Sequence, residues 1–207
     1  GCVPKKLFVY ASEFPEHFED SAGYGWTIGP GEFDWPLLIA AKNKEIARLE
    51  GLYRKGLDNH HATIFDTRAE LIDAHTIKLL HDGKSVTTEH ILIATGGRSN
   101  PHKALLGHEL CISSNEAFDL KQLPKSIVIE GGGYIAVEFA NIFHGLGVKT
   151  TLVYRGKEIL SRFDHDLRDM LHRSMTEKGI RIICENVLEM VERAPSGRLH
   201  ATLSDGE

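Results

Sequence analysis

The chain has 207 residues, 42% hydrophobic and 26% charged, with a formal net charge of −5. That balance describes soluble globular structure, one large domain or two small ones. Acids and bases are well mixed, which argues against a nucleic-acid partner because phosphate binding needs a basic face; no apolar run is long enough to span a bilayer.

The chain opens on GCVPKK rather than on a Met. Cys2 precedes a helical pattern expected over residues 5–22, with Leu7, Phe8, Tyr10, Ala11, Phe14 and Phe18 on a broad apolar face. A thiol at a helix N-terminus, with Pro4 in the first turn and Lys5 and Lys6 beside it, has a setting suited to a reactive cysteine. The Gly- and Pro-rich stretch 23–36 reads as a loop. A second helix follows, with Leu38, Ile39, Ile46, Leu49 and Leu52 at helical spacing and Gly56 as its expected stop.

The hydrophobic period then changes. ATIF, RAELI, TIKLL and KSVTT are short strand candidates, and Asp82-Gly83 is a hairpin signal. The expectation is a small antiparallel meander ending on a more buried strand, His90–Thr95, with a domain seam over residues 96–107.

From Lys125 the pattern alternates: strand SIVIE, helix YIAVEFANIFHGLG closed by Gly147, and strand KTTLVY. A helix capped near Asp164 and stopped by Gly179 comes next, then strand IRIIC. This βαβαβ order predicts an α/β fold, a Rossmann-like doubly wound parallel sheet with helices on both faces, beside the small meander.

The cysteines and histidines narrow the chemistry. Cys2, Cys111 and Cys184 are odd in number, far apart and without C-x-x-C spacing, which is neither a secreted disulfide framework nor a zinc site. A reducing, cytoplasmic setting is expected. The twelve His show no ligand spacing, so no metal is expected.

The strongest motif is SIVIEGGGYIAVEFA, in which Gly131, Gly133 and Ala136 make G-x-G-x-x-A between a strand and a helix. Gly131 allows the tight turn, Gly133 lets backbone approach a pyrophosphate, and Ala136 permits close helix–strand packing. The phosphate would sit on free N–H groups at the helix N-terminus, those of Tyr134, Ile135 and Ala136 included. At the end of the second strand an NAD site would carry an acid for the ribose hydroxyl. Here Tyr154 stands there, followed by Arg155, Lys157 and Arg162, with Glu158 among them. An anion is wanted, which predicts a 2′-phosphate and hence NADPH.

With those residues in hand, a resemblance can be stated. GCVPKK resembles the back half of the redox-active disulfide motif of FAD-dependent pyridine nucleotide-disulfide oxidoreductases. ILIATGG is similar to the strand closing their FAD domain, and GGGYIAVEFA to their nicotinamide-nucleotide site. Order and spacing agree over essentially all 207 residues, and VYRGKEIL…RFD resembles the NADPH stretch of the glutathione reductase branch.

The resemblance implies two FAD/NAD(P)-binding-type domains: residues 1–102 as the rear part of an FAD domain and 103–207 as an incomplete NADPH domain. It implies FAD and NADPH as cofactors, glutathione disulfide as substrate, and a homodimer. Trypanothione, mercuric or dihydrolipoamide reduction, or a non-catalytic NADPH-binding module, are the alternatives. Cys2 matches the cysteine nearest the flavin, Lys5 the lysine beside flavin N5, and Glu138 the glutamate that pairs with that lysine. Tyr134 matches an aromatic gate for nicotinamide, Tyr53 a glutathione contact, and Thr95 and Gly96 FAD contacts; Ala69 falls near the adenine. Arg155 matches a 2′-phosphate ligand.

Three positions depart from the family pattern. Glu130 precedes the first glycine where a small or apolar residue is usual, and is expected close to the phosphates. Ser161 stands where a second arginine is common, with Arg162 one place later. Leu106 replaces a common turn Pro. The resemblance further implies a longer protein, with a partner cysteine five positions before Cys2, a first FAD fingerprint upstream, and a His–Glu pair in a C-terminal dimerisation domain.

Overall fold

A computed structural model describes residues 1–29, 31–100 and 102–206. Pro30 in the expected loop, Pro101 at the expected seam and the terminal Glu207 lie outside the described residues. The chain divides into two compact units, one of residues 1–44 and 99–207 and one of residues 45–98.

In the larger unit, helix α1 runs Cys2–Ser21. It starts earlier than the apolar pattern predicts, because Pro4 sits in the first turn, where no backbone N–H is required. Helix α2, Trp35–Asn59, is begun by Asp34, whose carboxylate accepts from the Leu37 N–H at 2.8 Å. Gly56 does not stop it. The helix continues to Asn59, and His61 takes the left-handed turn (φ 56°) that reverses the chain.

After the short helix α3 (Ser114–Ala117), strand β4 (Ser126–Glu130), helix α4 (Tyr134–Gly145), strand β5 (Lys149–Tyr154), helix α5 (His165–Glu177) and strand β6 (Arg181–Cys184) realise the expected βαβαβ. The strands are parallel in the order β4-β5-β6, with Val128 opposite Thr151 and Leu152 opposite Ile182. Gly147 (φ 84°) closes α4, and the Asp164 carboxylate caps α5 by accepting from the Asp166 N–H at 3.0 Å.

Side chains alternate across the sheet, so β5 serves two cores. Leu152 packs with Val137, Ala140, Ile159 and Met175 beneath α4 and α5. Val153 faces the other way, onto Leu105, Leu188, Val191 and Leu203. The second face of the sheet therefore carries an antiparallel ribbon, β7 (Leu188–Arg193) and β8 (Leu199–Leu203), rather than helices. The sequence reading missed this ribbon, although LEMVER and LHATL flank an Ala-Pro-Ser-Gly turn. Leu106 joins it: its N–H donates to Glu189 at 3.2 Å and its carbonyl accepts from Val191 at 2.7 Å. A Pro at 106 would forfeit the first of these bonds.

A third cluster joins α1 to α4. Phe8 is fully buried, with its ring 5.1 Å from Trp35 and 5.6 Å from Phe118, beside Phe139, Ile142 and Phe143. The Trp35 indole N–H donates to the Leu120 carbonyl at 2.6 Å, and buried Lys42 reaches Asp119 at 2.8 Å. At the crossing of α1 and α4, a Cβ on Gly145 would stand 2.5 Å from the Ser12 carbonyl oxygen, so glycine is what permits that approach.

In the smaller unit, β1 (Ala69–Leu71), β2 (Thr76–Leu79) and β3 (Ser85–Thr87) form the expected meander. Gly83 (φ 72°) sits at its turn, as Asp82-Gly83 signalled. Two expectations fail here. ATIF is irregular, and His90–Thr95 is neither a strand nor buried; Leu92 is 89% exposed. A central strand needs hydrogen-bonding neighbours on both sides, and no described residue pairs with this segment.

Candidate functional site

The turn between β4 and α4 is built as its glycines predict. Gly131 has φ 136°, a region L side chains rarely enter, and a Cβ there would stand 3.3 Å from the Ala136 Cβ. Close packing of turn on helix thus requires both small residues. Gly133 is the N-cap of α4 and offers no side-chain cap, so the first-turn N–H groups of Tyr134, Ile135 and Ala136 have no intrahelical acceptor. A Cβ on Gly133 would meet nothing within 4 Å. Open space over bare N–H groups at the positive end of a helix dipole fits a pyrophosphate. Tyr134, 60% exposed, stands at the edge of that space.

Glu130, just before the turn, has partners of its own. Its carboxylate accepts from the Leu188 N–H at 3.4 Å and lies 3.1 Å from His102 Nδ1. It ties the end of β4 to the start of β7, a structural use that needs an acceptor. The same carboxylate adds to the burial that pushes the Cys111 thiol upward.

Beyond β5 the chain folds back over the turn. The Leu160 N–H donates to the Gly132 carbonyl at 2.6 Å. Arg155, Lys157 and Arg162 are exposed on this loop. Glu158 does not dilute their charge: it forms an ion pair with Arg168 on α5. The loop therefore presents cations while Glu158 among them is committed to Arg168, which suits a phosphate dianion.

One turn into α4, Glu138 accepts from Lys5 Nζ at 2.8 Å. Residues 133 positions apart thus meet. The hydrogen bond to Glu138 is the main cause that raises the lysine above its ordinary value, opposed by desolvation and helped slightly by Cys2. Cys2, at the first turn of α1, is exposed, and all three cysteines are free thiols. Burial first, and acidic neighbours second, push Cys184 upward as they do Cys111. Neither has a lysine-lined helix start like that of Cys2.

The structure therefore gathers Cys2, Lys5, Glu138, Gly131, Gly133, Tyr134, Ile135, Ala136, Arg155 and Arg162 in one unit. Tyr53, Ala69, Thr95 and Gly96 belong to the other, where all four are exposed. Sequence reasoning passed over Tyr154 except as a missing acid. Its ring lies between two glycines: a Cβ on Gly132 would stand 2.5 Å from Tyr154 Cγ, and one on Gly156 2.6 Å from its Cε1. The Tyr154 hydroxyl donates to Ser161 Oγ at 3.3 Å.

Comparison with known proteins agrees with this geometry. Residues 1–207 match the family described as pyridine nucleotide-disulphide oxidoreductase. A glutathione reductase from Nostoc sp. is 46% identical over 198 residues, 95% of this chain and 42% of that protein. One from Burkholderia cepacia is 42% identical over 207 residues, all of this chain and 45% of that protein. Among solved structures, the HOCl-induced flavoprotein disulfide reductase RclA of Escherichia coli superposes with a TM-score of 0.80 at 24% identity, over 99% of this chain and 43% of that one. The chain thus spans less than half the length of the curated relatives it matches. Fold, nucleotide turn and full-length match coincide: the chain belongs to the pyridine nucleotide-disulphide oxidoreductase family.

Proposed function

We propose that this chain is part of an NADPH-dependent flavoprotein that reduces glutathione disulfide to two molecules of glutathione. The observation that carries the reading is the 2.8 Å contact between Lys5 and Glu138. It fastens the helix that bears the exposed thiol to the helix whose N-terminus forms the nucleotide turn.

When bound, NADPH would supply the hydride and FAD would relay the electron pair to the disulfide. The chain's own residues have separate tasks. The N–H groups after Gly133 take the pyrophosphate, and Arg155 and Arg162 take the 2′-phosphate. Tyr134 covers the nicotinamide entry. Lys5 would place a positive charge beside the flavin, and Glu138 keeps that charge paired. Cys2 presents sulfur for thiol–disulfide exchange with a second cysteine that residues 1–207 do not include. Thr95, Gly96 and Ala69 contribute to the FAD side, and Tyr53 to glutathione. The exposed Leu92 and Ile93 fit an FAD sheet completed by chain outside these residues.

On this reading residues 1–102 and 103–207 are the rear of an FAD domain and most of an NADPH domain. A cytoplasmic homodimer is part of the same proposal, supported by the free thiols and the resemblance; among the described residues no helix is long and apolar enough to cross a membrane. The 42–46% identity to glutathione reductases favours glutathione over the other disulfides of the family. In the full-length protein, NADPH oxidation should depend on glutathione disulfide, and Cys2→Ser should lower it by about three orders of magnitude or more, as expected when a covalent nucleophile is removed. Wild-type turnover in that variant would overturn the proposal.

A further inference from the structure

The middle glycine of the turn, Gly132, is not explained by the nucleotide. Unlike Gly131 it has no positive φ that would demand glycine, and unlike Gly133 it does not border open space. What fills its Cβ position is the Tyr154 ring, with Cγ, Cδ2 and Cδ1 at 2.5, 2.6 and 2.7 Å. Gly156 is in the same situation at the opposite end of the ring, with Cε1, Cζ and Oη at 2.6, 2.9 and 3.0 Å. Two glycines are therefore needed because one aromatic ring lies between them.

The ring spans the gap between the pyrophosphate turn and the cationic loop. Arg155 directly follows Tyr154, and Arg162 directly follows Ser161, which accepts the phenol proton at 3.3 Å. Each end of the side chain is thus tied next to an arginine. The turn itself is held independently, by the Gly131 N–H on the Val153 carbonyl at 2.8 Å and the Val137 N–H on the Gly133 carbonyl at 3.1 Å. Among the described residues one hydrogen bond, from the Leu160 N–H to the Gly132 carbonyl at 2.6 Å, joins the loop to the turn beside this ring, while the Gly156 and Ile159 carbonyls tie the loop to Glu185 and Arg168 instead.

We propose that Tyr154 is a positioning residue for 2′-phosphate recognition: its ring is the spacer that holds the Arg155–Arg162 loop at a fixed distance from the glycine turn. The inference rests on the NADPH reading above and deepens it. A side chain that in an NAD site would contact the ribose is here turned under the loop, and selectivity is set by where it puts its neighbours.

The test is calorimetric titration of the full-length protein with adenosine 2′,5′-bisphosphate and, separately, with adenosine 5′-monophosphate. Wild type should bind the bisphosphate more tightly. Tyr154→Ala should weaken the bisphosphate by about tenfold or more, the scale of one charge-assisted hydrogen bond, and leave the monophosphate within about twofold. Tyr154→Phe keeps the ring and should restore bisphosphate affinity to within about threefold of wild type. Gly156→Ala, which displaces the ring while keeping Tyr154 and both arginines, should reproduce the selective loss, and it carries the test if Tyr154→Ala does not fold. Equal weakening of both ligands, or no weakening in the Ala variants, would overturn the spacer role while leaving the NADPH reading intact. Equal wild-type affinity for the two ligands would bring down the 2′-phosphate reading itself, and this inference with it.

Discussion

The two compact units differ in how much of their stability is their own. The larger unit encloses three clusters, and Phe8, Phe143, Ile142, Leu152 and Ile159 in it are almost wholly shielded from water. In residues 45–98 Leu79 is the one buried hydrophobic side chain, while Tyr53, Phe65, Ile72, Leu92 and Ile93 stand exposed. Burial sets how firmly a side chain is placed. The elements that carry the nucleotide and thiol residues are therefore fixed by cores of their own, whereas Tyr53, Ala69, Thr95 and Gly96 lie in a unit with little buried apolar surface.

The comparison can be broken first in the larger core. Phe8→Ala should cost about 3–5 kcal/mol, because it removes the ring that α1 places among Trp35, Phe118 and α4. A denaturant midpoint that scarcely moved would mean α1 is not part of that core. Leu79→Ala in the meander should cost less, about 2 kcal/mol, since its surroundings are already open. Hydrogen exchange should place that loss in local opening of residues 69–87, with β4 and β5 unaffected. If β4 and β5 amides were released together with the meander, the two units would be one cooperative body.

Smaller effects sharpen the contrast. Lys5 titrates above its ordinary 10.5 in the folded chain, so its pairing with Glu138 contributes stability that is complete below that value and is lost as pH rises through the raised one. The stability difference between wild type and Lys5→Met should thus be flat from neutral pH to about pH 10 and shrink above it. A difference that shrank already near pH 8 would point to another group. Smallest of all, Asp66→Asn should leave the thermal midpoint unchanged within error, because its pair with Arg54 is solvent-screened.

Much of this was legible in the residues. The change from period 2 to period 3.6 located the βαβαβ elements, and the glycine spacing located the turn, because those signals are local. Gly147, Gly179 and Asp164 ended or began helices where expected for the same reason. Gly56 misled because a glycine inside a helix costs only about 1 kcal/mol, which packing overrides. His90–Thr95 misled because apolar composition reports a wish for burial, not the neighbour that provides it. The Lys5–Glu138 contact came only through resemblance, since nothing in either residue's surroundings names the other. Tyr154 was read as an absent carboxylate because its contacts are with glycines, which leave no side-chain pattern to detect.

The 133-residue separation between Lys5 and Glu138 has a temporal meaning. During synthesis the helix carrying Cys2 is made first, and Lys5 has no Glu138 to pair with until α4 leaves the ribosome. At typical elongation rates that delay is on the order of ten seconds. Throughout it the part of the aromatic stripe that α4 will cover is open to chaperones, so closure of the core around Phe8 waits on translation of the helix it packs against.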